Sequence, residues 1–383
     1  MLAHANRSRQ RAQGQILVLF ALGIITLLGG VALVIEGGNA YQNQRSVQNG
    51  ADATAEAGAA MIARGLAGIT KTDAQVAAAV AATAFSNNIT ANAYYTDWQG
   101  NPLDSTGAIV APNLAVVVGA SPSGAIPPNG QGVHASGTRT FGTTFGRVIG
   151  FNNFTATGDA IAVAGKTNGG LFLPVVFPVN VTDCSGNGNL GTPKDQWDVS
   201  QPSKADPPGH PVGTEYIVPL CKTGGGSFMI LDLDGISNNC EEEVLHPKPI
   251  QWDSFPIDVA SDNGNNCAHQ MEDAVNSLSG QTVLIPLCDD NECNTSGGSH
   301  ATYHISGVVS FYIDYFSDGP GNGGNTLCET HANNDNPPQQ LITIAGNGSS
   351  SCMAGWFVRF ITTGPVGAGT IGNADSISIQ LIK

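Results

Sequence analysis

Charge is scarce in this chain. Asp, Glu, Lys and Arg make up 12% of its 383 residues, against about 25% in an average soluble protein. Only 15 residues are basic and the net charge is −15, which argues against a nucleic-acid partner, because neutralising phosphates takes clustered Lys and Arg. Aromatics are 7% and histidines number 8, too few for a cofactor-laden chain. There is no Gly-x-Ser-x-Gly elbow to mark a serine hydrolase. The glycine-rich stretches at 224–226 and 319–324 lack the Lys-Ser/Thr that ends a phosphate loop. No Cys-x2-Cys pair occurs, which removes the usual structural zinc signature. The composition therefore points away from enzymes and cofactors.

What is present is unevenly spread. Residues 1–165 carry 8 basic and 7 acidic residues, and residues 166–383 carry 7 and 23. All eight cysteines (Cys184, Cys221, Cys240, Cys267, Cys288, Cys293, Cys328 and Cys352) fall in the second part. A length of two to three ordinary domains and these two shifts predict two folded units. We expect a basic N-terminus at 1–14, an apolar helix at 15–35, an α+β unit at 36–166 and an acidic, cysteine-containing β domain at 170–383.

The apolar stretch Gln15–Ile35 holds no charge. As a helix it reaches about 31 Å, the thickness of a bilayer's hydrocarbon core. Arg7, Arg9 and Arg11 precede it and Glu36 follows, so the positive-inside bias puts the N-terminus in the cytoplasm and the bulk outside. A cleaved signal peptide is the alternative; the stretch is longer than the usual apolar core of one. The helical pattern also continues. Tyr41–Ala67 has no proline, and Ala51, Ala55, Ala59 and Ala63 recur at i, i+4. That row of small residues either packs within its own domain or admits a partner helix. Gly37-Gly38 and Gly50 weaken the helix and predict a bend near the membrane surface.

Thr72-Asp73-Ala74-Gln75 has capping-box spacing and opens a second helix with Val76, Val80 and Ala84 on one face. Strands are expected at 93–98, 114–118, 133–140 and 154–164, with a short helix at 141–149. Helices followed by a mostly antiparallel sheet read as α+β.

The run Arg45-Ser46-Val47-Gln48-Asn49-Gly50-Ala51-Asp52-Ala53-Thr54-Ala55-Glu56-Ala57-Gly58-Ala59, behind an Arg-rich start and an apolar span opened by Gly14-Gln15, resembles the TadG/TadE-like proteins of bacterial tight-adherence (Flp) pilus assembly. Thr140-Phe141-Gly142-Thr143-Thr144-Phe145-Gly146-Arg147-Val148-Ile149-Gly150-Phe151 extends the resemblance. It implies a membrane-anchored accessory protein with other pilus proteins as partners, and no enzyme. Two family features are missing. The place of the prepilin glutamate holds Leu19, and Asp375-Ser376-Ile377-Ser378-Ile379 lacks the spacing of an adhesion-type metal motif.

Beyond Gly170, short apolar runs alternate with Gly, Asn, Pro and Asp clusters, as in a β sandwich or barrel-like sheet, with one helix expected at 268–277. Eight cysteines outside the membrane predict disulfides. Cys288–Cys293 would close a short acidic loop; sequence proximity suggests Cys184–Cys221, Cys240–Cys267 and Cys328–Cys352. His300 and His304 lie four apart but without the Glu of a zinc helix, so they read as ordinary strand or turn histidines. Asp232-Leu233-Asp234-Gly235, with Glu243 at the twelfth place, partly matches a calcium loop, although its glycine is at the fourth place instead of the sixth. A solvated acidic turn is the plainer reading. Asp253, Asp258, Asp262, Glu272 and Asp273 show no catalytic spacing. The expected function is thus pilus assembly through protein contacts. The alternatives are a tethered hydrolase or sugar-binding module, with Trp197, Trp252 and Trp356 as its stacking platform, and a calcium-stabilised adhesin.

Overall fold

The computed structural model describes residues 3–178, 215–220, 230–236, 239–252, 255–262, 265–288, 302–317, 326–329, 341–344, 351–358, 361–367 and 376–382. Helix α1 runs from Ala3 to Leu66. At 1.5 Å per residue its 64 residues make a rod about 95 Å long. It is a single helix through Gly37-Gly38 and Gly50, so those glycines do not interrupt it. Cβ atoms added at Gly37 or Gly38 would meet nothing within 4 Å, because those two positions face open space.

The two halves of α1 meet different surroundings. Leu17, Leu19, Phe20, Leu27, Leu33 and Val34 are all more than two-thirds exposed. From Val47 on, one stripe is fully buried: Val47, Ala51, Ala55, Ala59 and Ala63 at 0% and Ile62 at 1% exposure. That stripe lies on an antiparallel sheet of β1 (Thr90–Thr96), β2 (Gly132–Gly142) and β3 (Asn153–Thr167). The sheet answers with small residues of its own, Ala93, Ala135, Ala160, Ala162 and Ala164. The alanine row is therefore a packing face within its own domain, the first of the two readings its spacing allowed, and not a groove for a partner helix.

Backbones come close where glycine allows. A Cβ on Gly58 would lie 2.7 Å from the Val133 side chain, and one on Gly158 would lie 2.8 Å from the Val47 carbonyl and 2.9 Å from Gln48 backbone atoms. A side chain can yield and a helix backbone cannot, so Gly158 is the tighter constraint.

Helix α2 (Asp73–Ser86) starts with the expected capping box, Thr72 and Gln75 each bonding the other's backbone amide. Val76, Val80 and Ala84 are its buried face. Asp73 does more than start the helix. Its buried carboxylate accepts from the Tyr95 hydroxyl at 2.7 Å, Gly119 N at 2.7 Å and Ser121 N at 2.9 Å. Burial, then this carboxylate, push the Tyr95 phenol pKa upward. Two expectations fail nearby. In place of a strand at 114–118 there is a 3-10 turn ending at Leu114 (Pro112–Leu114) and then one isolated bridge, Tyr94 with Val117. The helix expected at 141–149 is a 3-10 turn at Gly146–Ile149, because β2 extends to Gly142 and Gly150 (φ +93°) turns the chain left-handed.

After β3 the chain builds a second sheet. It contains β4 (Phe177–Pro178), β5 (Tyr216–Leu220), β6 (Ile257–Ala260), β7 (Thr282–Cys288), β8 (Thr302–Ser317) and β9 (Ser351–Val358), in order β4-β7-β8-β9-β5 with β6 also on β8. Its core gathers Phe172, Phe177, Tyr303, Phe311, Phe316 and Phe357. Two helices pack on it, α3 (Cys240–Leu245) and α4 (Asn265–Asn276). The second fits the helix expected there. The first was missed because six residues are too few to show a period, although its three glutamates suit a helix N-terminus.

The chain then returns. Strands β10 (Ile361–Thr363), β11 (Val366–Gly367) and β12 (Ile377–Leu381) join the first sheet, β12 antiparallel to β3 along Ala162–Lys166. The first sheet is thus finished by residues that composition groups with the outer part; charge and cysteine content carry no information about strand pairing. Buried serines bind the two sheets together at this return. Ser376 N donates to Val308 O at 2.8 Å, and the Ser310 and Ser376 hydroxyls lie 2.8 Å apart.

Replacing Gly158 with Ala should lower the stability of the helix–sheet domain by about 1–3 kcal/mol, the usual cost of overpacking. Thermal unfolding of the detergent-solubilised chain measures this; an unchanged midpoint would contradict the close approach.

Candidate functional site

Two places concentrate polar groups that the fold does not need merely to close its sheets. The first is where α1 leaves its apolar half. Glu36 is the first charged residue after that half, and its carboxylate accepts from Thr144 N and Phe145 N at 3.1–3.2 Å. Further along, Gln44 donates to Thr157 O at 2.5 Å and accepts from Thr157 N at 3.4 Å. One helical turn later Gln48 repeats the pattern on Asp159, at 2.9 and 3.3 Å.

These contacts have a simple cause. Strand β12 pairs β3 only from Ala162 onward, so the same edge of β3 is left open at Thr157 and Asp159. An exposed edge presents unpaired N–H and C=O groups. A glutamine amide offers one donor and one acceptor, so Gln44 and Gln48 stand in for the missing strand. Gln44 and Gln48 meet β3 and Glu36 meets the loop that precedes it, which together fix helix and hairpin in register. The hairpin tip therefore sits beside the C-terminal end of the exposed apolar half. It carries Phe145, Val148, Phe151 and Phe154 at 39%, 85%, 59% and 39% exposure, with Arg147 exposed among them.

The second place is the acidic turn in the outer part. Leu231 bridges Ser261, and Asp232 N donates to Ala260 O at 2.9 Å, which anchors the turn's start. Asp232 then accepts from Gly235 N at 2.6 Å, with Gly235 at φ +79°. Helix α3 brings Glu243 back to the turn, and the Cys240–Cys267 disulfide, Cα atoms 5.4 Å apart, ties α3 to α4. One Glu243 oxygen, Oε1, accepts from Leu233 N and Asp234 N at 2.9 and 3.0 Å.

The three carboxylates suggested by sequence spacing are thereby brought together: one oxygen each from Asp232, Asp234 and Glu243 lie within 4.8 Å of one another. Glu243 is 6% exposed and its Oε2 has no hydrogen-bond partner; nor does the buried Oδ1 of Asn239, whose amide nitrogen donates to Asp234 at 3.2 Å. Burial, reinforced by the charges of Asp234 and Asp232, pushes the Glu243 pKa up to about 8, against the pull of the two amides. Burial opposes ionisation of Asp234 too. Lys248 at 3.0 Å, Ile236 N and Asn239 outweigh it and hold that carboxyl below its ordinary value. A cavity of about 270 Å³ opens here, lined in part by Asp234, Asn239 and Glu243.

Other candidates fare differently. Cys240, Cys267 and Asp262 also cluster, but a disulfide leaves no thiolate for a metal. Cys288 and Cys352 are disulfide-bonded as well. The pairings Cys288–Cys293, Cys184–Cys221 and Cys328–Cys352 each involve a side chain outside the described residues. His304 pairs across strands with Asp258 at 2.8 Å; His300 and Asp253 lie outside the described residues. Trp252 stacks on Phe172 at 4.6 Å and Trp356 packs edge-on to Tyr312, 6% and 2% exposed, so neither offers a face to a sugar. Trp197 is outside the described residues. The larger cavity, about 830 Å³, has no carboxylate among its described lining residues. Gln44, Gln48 and Glu36 were not singled out in the sequence; the i, i+4 repeat of the two glutamines was the available signal.

Residues 14–61 match the family model described as "Putative Flp pilus-assembly TadE/G-like". The match falls within α1 and covers its apolar half, Glu36, Gln44, Gln48 and most of the alanine face. No curated protein and no solved structure gives a match.

Glu36→Ala should speed hydrogen exchange at the Thr144 and Phe145 amides while those of Thr157 and Asp159 keep their protection from Gln44 and Gln48. Equal exchange at 144 and 145 in both proteins would remove Glu36 as the staple.

Proposed function

We propose that this chain is a membrane-anchored structural accessory protein of a Tad/Flp-type pilus assembly. Residues 15–35 span the cytoplasmic membrane, the Arg-rich start stays in the cytoplasm, and the remainder stands outside and works through contacts with other pilus proteins. The TadE/G-like match over α1 supports the pilus role.

The observation that carries the anchoring is the division of labour along one helix. Its most apolar 18-residue window has no buried residue, and an exposed row of Leu, Ile, Val and Phe in water is a large hydrophobic liability. A bilayer removes that liability, and a span of this length matches its hydrocarbon core. Because the same helix continues as the core of the first domain, the domain is held at the membrane surface instead of hanging on a flexible linker. The apolar hairpin tip supports the same placement. Held to Glu36, it lies level with the end of the span, where aromatic and basic residues suit the headgroup region.

Nothing in the described site asks for chemistry on a substrate, and the buried tryptophans speak against the sugar-binding alternative. The work assigned to the outer part is to present a disulfide-braced acidic surface to partners.

Two experiments test the proposal in the native host. Alkaline phosphatase fused after the last residue should be active, and the same enzyme placed before Gln15 inactive; the reverse pattern would overturn the orientation. Deleting the gene should abolish or sharply reduce surface pili while the pilin is still made. Normal piliation would overturn the assembly role and leave the anchoring untouched.

A further inference from the structure

We propose that Asp232, Asp234 and Glu243, with the Asn239 side-chain oxygen beside them, form a calcium-binding site in the outer part of the chain. Three carboxylates from two separate elements, a bridged turn and a helix, converge within 4.8 Å. Convergence of like charges is unfavourable by itself, at close range especially where water is thinned out. A surface turn can relieve it by pointing its acids apart. This one does not, because Glu243 is fixed by two backbone amides and by the disulfide at the start of its helix.

The unsatisfied oxygens point to what is missing. Glu243 is more than nine-tenths buried, its Oε2 bonds to nothing, and the Asn239 Oδ1 is a second buried acceptor without a donor. Leaving a buried acceptor unpaired is costly, and two beside the same carboxylates are a demand for positive charge. Lys248 meets only part of it. Its ammonium reaches Asp234 alone, and its side chain is 65% exposed, free to swing into water. Ionised together on binding a cation, the three carboxylates would leave two negative charges beyond the one ammonium, which a divalent ion balances.

The donor set selects the ion. All the candidate ligand atoms are oxygens; histidine and thiolate are absent from this cluster, which disfavours zinc and copper. Calcium accepts six to eight oxygens in irregular geometry, whereas magnesium demands a near-ideal octahedron. A turn of Asp232, Asp234 and a helix-borne Glu243, completed by Asn239 and waters from the adjoining cavity, suits the larger ion. The site is not an EF-hand. Gly235 comes two places early, and the twelfth-place glutamate arrives on a helix locked by a disulfide.

Binding does not depend on the pilus or membrane reading, so its failure would leave that reading standing. The test is calorimetric titration of calcium chloride into the full-length, disulfide-intact chain in detergent after chelator treatment and desalting, with melting curves alongside. The expected result is one calcium per chain with a dissociation constant of about 10⁻⁴–10⁻³ M, the range of extracellular modules. The outer part should melt roughly 5 °C higher at saturating calcium, with magnesium clearly weaker. Glu243→Gln and Asp232→Asn should each weaken binding about tenfold or more. Should Glu243→Gln fold poorly, Asp232→Asn decides the matter, since Asp232 is only half-buried. Absence of saturable binding and of any melting shift up to about 10 mM calcium would overturn the proposal and leave a cluster satisfied by a proton. Unchanged affinity in Asp232→Asn would overturn it too, by moving the binding elsewhere.

Discussion

The close packing of α1 on β3 is the constraint from which the rest follows. A helix whose contact face is alanine and glycine can lie almost on the backbone of a sheet, and the sheet must be small-faced in return. Ala160, Ala162 and Ala164 on β3 and Gly158 against Val47 and Gln48 meet that demand. Close approach brings Gln44 and Gln48 within hydrogen-bond reach of the sheet edge. It also fixes the height of the hairpin tip relative to Glu36. A larger side chain anywhere along this seam would loosen the edge clips and the staple at Glu36 together, since both depend on the same spacing.

Much of the first domain was legible because its signals are local or periodic. The capping box at Thr72 and the i, i+4 alanine row need no knowledge of the rest of the chain, and both appear where the spacing put them. What stayed hidden was non-local. Whether Ala51, Ala55, Ala59 and Ala63 met a sheet or another helix could not be read from one strand of sequence, because small residues serve both. The return of Ile377–Leu381 to β3 was equally opaque: its alternation fits either sheet, and choosing between them is a matter of topology.

In the outer part, spacing gave less and chemistry gave more. The carboxylates at 232, 234 and 243 could be noticed by counting, yet counting also showed the glycine out of place. The structure shows why the count still matters: a short helix, too brief to announce itself by periodicity, carries Glu243 back to the turn. Tryptophans at 252 and 356, which composition offered as a sugar platform, are consumed by the core instead.

On the proposed reading, rod, clipped hairpin and disulfide-braced outer part form one mechanical chain from the membrane outward, with the continuous helix α1 joining the apolar half to the first domain. The most direct test is the depth of the hairpin tip in a lipid bilayer. A nitroxide attached at Val148→Cys in nanodiscs, read by its relative accessibility to oxygen and to a water-soluble nickel complex, should report the headgroup region, while a label at Thr140 on the strand above reports water. Full water exposure at both positions would contradict the account, because it would mean that the helix does not hold its domain against the membrane.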